Sequence, residues 1–330
     1  MFRPDLTTPP GVSLQPRSGP IIRGMLANRR TFMTALAASA AAPAILRAQP
    51  KRRYPIAFST LGCPAWSWKT ILEQADRLGY AAIELRGVAG EMDLTKVPEL
   101  SGPRLDTTKK DLSARGVVIS DLGASAAMHE TGAAREKALD EGRRFIDLAH
   151  AMGVKYVRMF GDKLPAGEPR ETVIARVIEG FQQMAAHGKP AGVTVLMESH
   201  GDFTHSKDID AVHSGVASDA FAVLWDAHHT YVDGHEPPAA TYGALGRWIR
   251  HTHLKDSTPA GTDRRYVLTG TGDVPVKSQV QVLATAGYKG YYCFEWEKKW
   301  HPEIEEPEVA FPHFARTMTQ YLEDAGVKPA

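Results

Sequence analysis

Cysteine is almost absent: two residues, Cys63 and Cys293, in a chain of 330. That excludes a disulfide-built scaffold and a thiolate zinc cage, and leaves each thiol as a small buried apolar group. Long apolar runs are missing too. The most apolar stretch, Thr34 to Leu46, is short, Ala-rich and interrupted by Ser39 and Pro43. A bilayer span needs about 20 predominantly apolar residues, so no stable membrane anchor is expected. Neither charge is in excess, with 39 Lys and Arg against 38 Asp and Glu, a net of +1. Residues 1–48 nevertheless hold six of the arginines (Arg3, Arg17, Arg23, Arg29, Arg30, Arg47), no Lys and one acid, Asp5. Without them 33 basic and 37 acidic residues remain, a net of −4. A body of that charge is a poor nucleic-acid partner, because phosphate neutralisation supplies most non-specific affinity. No short repeat and no linker interrupts residues 54–330.

What is present begins with an address. Asn28-Arg29-Arg30-Thr31-Phe32-Met33 precedes the Ala-rich stretch, and Leu46-Arg47-Ala48 offers a small residue at a cleavage point before Gln49. The pattern resembles the twin-arginine export signal. It implies a removed leader over residues 1–48, a catalytic domain over 49–330, the twin-arginine export machinery as a partner and a periplasmic or extracytoplasmic location. Met25 would give a signal of ordinary length, so the start is either Met1 or Met25.

From Tyr54 onward short β-branched or apolar runs alternate with longer amphipathic segments. The strand-like runs are Ile56–Thr60, Ala82–Leu85, Val117–Leu122, Tyr156–Phe160, Val193–Glu198, Ala222–Asp226, Ile249–Leu254 and Tyr291–Trp296. Helical spacing lies between them, as in Ala133–Met152, and Gly79, Gly153, Gly188 and Gly287 read as helix stops. Eight strands alternating with helices predict an α/β fold, a single (β/α)8 barrel.

Barrel enzymes carry their chemistry at the C-terminal ends of strands. Those ends here are Glu84, Asp121, Glu198, Asp226, His253 and Glu295. Strands buried on both faces should not end repeatedly in carboxylates unless something there uses them. Glu198, Asp226, His253 and Glu295 fall on four successive strands, and neighbouring strands lie about 4.8 Å apart, so the four side chains can converge. Three carboxylates and one imidazole suit one divalent ion, Mn²⁺ first, with Mg²⁺, Co²⁺ or Zn²⁺ as alternatives.

Val195-Leu-Met-Glu198-Ser-His200, Trp225-Asp226-Ala-His228-His229, His251-Thr-His253-Leu-Lys255-Asp256 and Phe294-Glu295-Trp-Glu297 resemble the xylose isomerase-like TIM-barrel family over about residues 56–325. The resemblance implies that Glu198, Asp226, His253 and Glu295 bind the metal and that His229 and His251 sit beside the substrate. It also implies that Glu198 and Glu295 exchange protons with that substrate, and that the chain can form dimers or tetramers. Strand alternation aims His200 at the same face as Glu198, as a proton shuttle or hydroxyl ligand, or as a support behind the ligands. Lys255 either binds a substrate oxygen or pairs with Asp256 or Glu297. Glu84 joins the substrate-binding candidates. His301 contacts substrate or serves the surface, and Trp66 and Trp68 either stack on a sugar or pack. Gly270-Thr-Gly272-Asp273-Val lacks the strand-to-helix setting of a dinucleotide fingerprint and reads as a substrate-side loop. The expected function is an exported, metal-dependent isomerase or epimerase acting through an enediolate on an unphosphorylated sugar. A 3-keto-glycoside lyase using the same site is the alternative, and a non-catalytic sugar-binding barrel the third reading.

Overall fold

Eight of the ten strands in the computed structural model, which describes residues 52–330, lie parallel and close on themselves. They are β1 (Ile56–Ser59), β2 (Ala82–Leu85), β3 (Val118–Ala127), β4 (Tyr156–Phe160), β5 (Thr194–Glu198), β6 (Phe221–Asp226), β7 (Ile249–Leu254) and, after the hairpin β8 (Asp256–Ala260) and β9 (Asp263–Val267), β10 (Tyr292–Phe294). Around the barrel the order is β1-β10-β7-β6-β5-β4-β3-β2. The predicted export leader over residues 1–48 lies outside the described residues. Among those described, no helix is long and apolar enough to cross a membrane.

Strand alternation decides where the site can form. Ile56, Phe58, Ile83, Leu85, Val195, Met197, Val223 and Trp225 point outward into one large core shared with the surrounding helices. The alternate residues form two small apolar clusters, Ala57, Ala82 and Cys293, and Leu196, Ala222 and Leu224. These fill the barrel interior, and the next inward positions along the same strands are Glu84, Glu295, Glu198 and Asp226. The polar groups therefore sit above a dry plug. Both cysteines are free and buried.

Closure between β1 and β10 pairs Phe58 with Phe294. Helix α9 (Pro307–Asp324) lays Phe311 on Phe58 (4.7 Å between ring centres) and Phe314 on Phe294 (4.3 Å). Aromatic pairs of this kind add about 0.5–1.5 kcal/mol each beyond area burial, and here they fix the strand from which Glu295 emerges. Helical spacing predicts Phe311, Phe314, Met318 and Tyr321 as core; the first three are buried, and Tyr321 is partly buried and packs against them. Trp66 and Trp68 are buried as well, and Trp66 Nε1 donates to Glu308 Oε1 (2.9 Å), so they pack and do not line the mouth.

The remaining helices are α1 (Trp68–Leu78), α2 (Gly102–Arg115), α3 (Gly132–Met152), α4 (Arg170–Ala191), α5 (Ser206–Val216), α6 (Ala227–Val232), α7 (Pro238–Leu245) and α8 (Val276–Thr285). Gly79 and Gly153 end α1 and α3 in the left-handed conformation, as expected. Gly188 does not end α4: the helix runs through Pro190 and stops at Gly192, because a helical Gly188 lets the Val193 carbonyl approach its backbone.

Candidate metal centre and active site

Four elements deliver the four predicted ligands. Glu198 and Asp226 are the last residues of β5 and β6, His253 is the fifth of β7, and Glu295 follows β10 directly. The register pairs Asp226 with His253, Glu198 with Leu224 and His253 with Cys293, two residues short of Glu295, so the four residues are staggered along the strands yet converge at the mouth. One donor atom from each lies within 4.8 Å of the others. His253 Nδ1 is 3.1 Å from Glu198 Oε1, 3.2 Å from Glu295 Oε1 and 3.9 Å from Asp226 Oδ2. Its other nitrogen, Nε2, donates to Glu84 Oε2 at 2.6 Å. That bond turns the ring so that Nδ1 faces the carboxylates, the arrangement by which a carboxylate behind a histidine orients it toward a metal.

The charge around this point is lopsided. Six buried carboxyl groups (Glu84, Asp121, Glu198, Asp226, Glu295, Glu297) face three buried permanent cations, Arg86, Arg158 and Lys255. Burial resists the ionisation of Glu198, yet His253 and Arg158 hold its carboxyl down at about 2. Glu84 and Glu295 are likewise held well below the carboxylate range against their burial, chiefly by His253. Burial works against a charged His253 ring, but Glu295, Glu84 and Glu198 raise it well above the ordinary imidazole value. The field that holds a proton at Nδ1 equally suits a divalent cation there, with the ring then deprotonated. One imidazole nitrogen and three carboxylates are a donor set for Mn²⁺, Mg²⁺ or Co²⁺. The residues fit the group.

Three predicted substrate contacts are placed differently. Glu84 and His251 lie in the layer beneath the ligands, with no open surface. His251 Nε2 stands between Glu84 Oε2 (3.2 Å) and Asp121 Oδ1 (3.1 Å), and these acids raise the ring to about 9 against its burial. Lys255 is 0% exposed. Its ammonium donates to Asp226 Oδ2 (2.6 Å), Glu297 Oε1 (2.8 Å) and Glu295 Oε2, which uses all three protons. It pairs with Glu297, as one alternative expected, but not with Asp256, which is spent on backbone amides. These three side chains hold ligands and do not reach the open mouth.

His200 and His229 do reach it. Their rings meet at 5.2 Å, each backed by an acid: His200 Nδ1 lies 3.0 Å from Asp162 Oδ1, and His229 Nδ1 lies 2.9 Å from Asp233 Oδ2. Burial opposes a charged His229 ring, and Asp226 outweighs it. His229 Nε2 is 3.6 Å from the ligand Asp226. His301 stands on the far side, half exposed, in the turn after β10.

Sequence reasoning missed two residues. Arg158, buried in the middle of β4, sets Nε 3.0 Å from Glu198 Oε2 and donates from Nη1 to the Ala124 carbonyl (3.0 Å). A β-carbon at Gly123 would stand 2.7 Å from Arg158 Nη2, so the glycine makes room for the guanidinium. The signal was available, since an arginine centred in a buried strand demands a partner. Tyr266 on β9, whose ring centre is 5.9 Å from Lys255 Nζ, gave none, because its position depends on a hairpin register.

Comparison with known proteins agrees with this geometry. No curated protein sequence matches the chain. Among solved structures, a probable 3-DHS dehydratase from Bacillus anthracis superposes with TM-score 0.66 at 15% identity over 81% of this chain and 99% of that one. A D-psicose 3-epimerase with D-tagatose from Clostridium cellulolyticum H10 gives 0.64 at 15% over 81% and 99%. A xylose isomerase-like TIM barrel protein from Mycobacterium smegmatis in complex with magnesium gives 0.62 at 18% over 82% and 97%. The sequence model of the xylose isomerase-like TIM barrel matches residues 72–316, a span that contains all four predicted ligands. With that match over most of its length and a closed eight-stranded barrel, the chain belongs to the xylose isomerase-like TIM barrel family.

Proposed function

We propose that the chain is an exported isomerase or epimerase that removes the proton next to the carbonyl of an unphosphorylated sugar. The observation that carries this reading is the pair of carboxylates flanking one point, Glu198 and Glu295 at 3.1 and 3.2 Å from His253 Nδ1. Glu198, Asp226, His253 and Glu295 would hold a divalent cation, Mn²⁺ first with Mg²⁺, Co²⁺ or Zn²⁺ as alternatives, which would supply a Lewis acid beside the substrate carbonyl. Glu198, ionised beside Arg158, takes the proton and leaves an enediolate. Glu295, also ionised, faces the same point from the other side and passes on a proton drawn from the Lys255 ammonium at its Oε2, which Lys255 regains when Glu198 releases the one it took. His200 and His229 bind the sugar hydroxyls at the mouth and, backed by Asp162 and Asp233, keep their orientation. Export, inferred from Arg29 and Arg30, agrees with a substrate that carries no phosphate.

A second reading begins with the same step. In a 3-keto-glycoside the proton leaves C2, its electron pair forms a C1–C2 double bond, and the C1–O bond breaks. The glycosidic oxygen then takes a proton from Glu297, whose carboxyl burial holds above the ordinary value. Aromatic rings beyond Lys255 favour this version.

Proton exchange in D₂O tests both. The Mn²⁺-loaded protein should place deuterium next to the carbonyl of a free ketohexose with its skeleton intact, and Glu198→Gln should abolish the exchange while metal stays bound. Release of the aglycone from a 3-keto-glycoside without exchange into the free sugar selects the second reading. A fully loaded protein that catalyses neither reaction overturns the proposal.

A further inference from the structure

The hairpin β8–β9 leaves the barrel directly after Lys255, at the end of β7, and pairs only with itself. It is nevertheless held firmly. Asp256 Oδ2 accepts the amides of Gly270 (2.8 Å) and Gly272 (2.9 Å), and Oδ1 those of Ser257 (2.9 Å) and Val274 (3.2 Å). Arg264 binds the Ser257 hydroxyl (2.6 Å) and carbonyl (3.0 Å) and pairs with Asp273. The register sets Tyr266 opposite Ser257, on the hairpin face turned to the barrel.

Tyr266 is therefore a fixed aromatic surface. Its ring centre lies 5.4 Å from His228 and 5.0 Å from His301. His301 arrives from a different element, the turn after β10, where its amide and that of Trp300 both donate to the Glu297 carbonyl (2.9 and 3.0 Å). Lys255, Tyr266 and His301 thus step outward from the metal ligands, the first touching Asp226 and Glu295, the last on the rim beside Trp300, which is 55% exposed. A sugar whose carbonyl is met by Glu198 and Glu295 would leave the Tyr266–His301 face for whatever is attached to it. Flat rings already in contact, as Tyr266 and His301 are, present a surface to another ring with less ordering cost than free side chains would pay.

We propose that Tyr266 and His301 form a subsite for a second ring, so that this barrel binds a glycoside carrying such a ring more tightly than a sugar without one. This rests on the sugar-binding reading above, though not on which reaction follows. Either a second sugar or an aromatic aglycone offers the required flat face, and the probes separate them.

Titration calorimetry on the Mn²⁺-loaded protein with methyl β-glucoside, cellobiose and phenyl β-glucoside reads the subsite without turnover. At least one two-ring probe should bind about tenfold or more tighter than methyl β-glucoside, and the better of the two identifies the kind of ring. The double variant Tyr266→Ala, His301→Ala should bring that ratio to within about twofold of one. Tyr266→Phe, which keeps the ring, should preserve the preference and shows that the hairpin tolerates substitution. A wild-type ratio near one, or a ratio unchanged in the double variant, overturns the proposal. Loss of proton exchange on every sugar with the binding preference intact would instead reject the catalytic reading and leave the subsite standing.

Discussion

Glu84 has no exposed surface, and its strongest contact is a 2.6 Å bond from His253 Nε2. It acts through that ring. Glu84→Gln keeps the shape but can present its amide nitrogen to Nε2, which frees the ring to turn its Nδ1 away from the carboxylates. Losing such a partner behind a metal histidine costs about 10–100-fold in metal affinity. The variant should therefore release Mn²⁺ at correspondingly lower chelator concentration, read by titration against a metal indicator, while its circular dichroism stays native. Unchanged affinity would mean that His253 is oriented by packing alone. The four candidate ligands were legible individually because each is a charged or titratable residue at or near the end of a buried strand. The supporting layer was harder to read. Glu84 and His251 carry the same signature as ligands, and only depth along the barrel axis, which spacing does not encode, separates a residue that meets the mouth from one beneath it. Lys255 was ambiguous for a related reason: its three acceptors come from the end of β6 and from the residues just past β10, which are far apart in sequence.

At the level of elements, the segment from Asp256 to Val274 shows how a polar insertion acquires structure. Its residues lack apolar alternation, and the hairpin exists because its strands pair with each other and Asp256 gathers four amides. The Gly-Thr-Gly motif read as a substrate-side loop is the other half of that clasp. A β-carbon at Gly272 would stand 2.3 Å from both Asp256 Oδ1 and the Ser257 carbonyl oxygen, and the carbonyl cannot move without unpairing the hairpin. Gly272→Ala should destabilise the protein by about 1–3 kcal/mol, the usual cost of overpacking, seen as a lower thermal midpoint. Any preference for two-ring ligands should fall with it. A stable variant with that preference intact would show that the clasp is not what holds Tyr266. Strand boundaries elsewhere were legible to within a few residues, since apolar runs bounded by Gly stops leave little freedom. The long extension of β3 to Ala127 was not, because its pairing with Phe160 skips a bulge that no residue pattern marks.

For the whole molecule, the excess of buried carboxylates over buried cations makes folding stability depend on the ion. A ligand bound only by the native state stabilises by about 2.7 kcal/mol at one hundred times its dissociation constant. For a domain of this size that corresponds to a rise of roughly 5 °C in the thermal midpoint. Adding Mn²⁺ to chelator-treated protein should raise the midpoint by that order, and Asp226→Asn should remove most of the response. A midpoint indifferent to divalent ions would mean that the histidines and Lys255 neutralise the acids unaided. The architecture itself was fully legible, since eight apolar runs alternating with helices leave few ways to bury every strand on both faces.

The candidate ligands all descend from the second half of the chain, on β5, β6 and β7 and just past β10, whereas Glu84, Asp121 and Arg158, which aim or neutralise them, come from β2, β3 and β4 in the first. Severed in the connection between β4 and α4, the polypeptide would part into one fragment with the candidate ligands and Lys255 and another with Glu84, Asp121 and Arg158. Neither fragment is a smaller version of the enzyme. The site is a seam, and its chemistry comes into being only when the two complements are reunited.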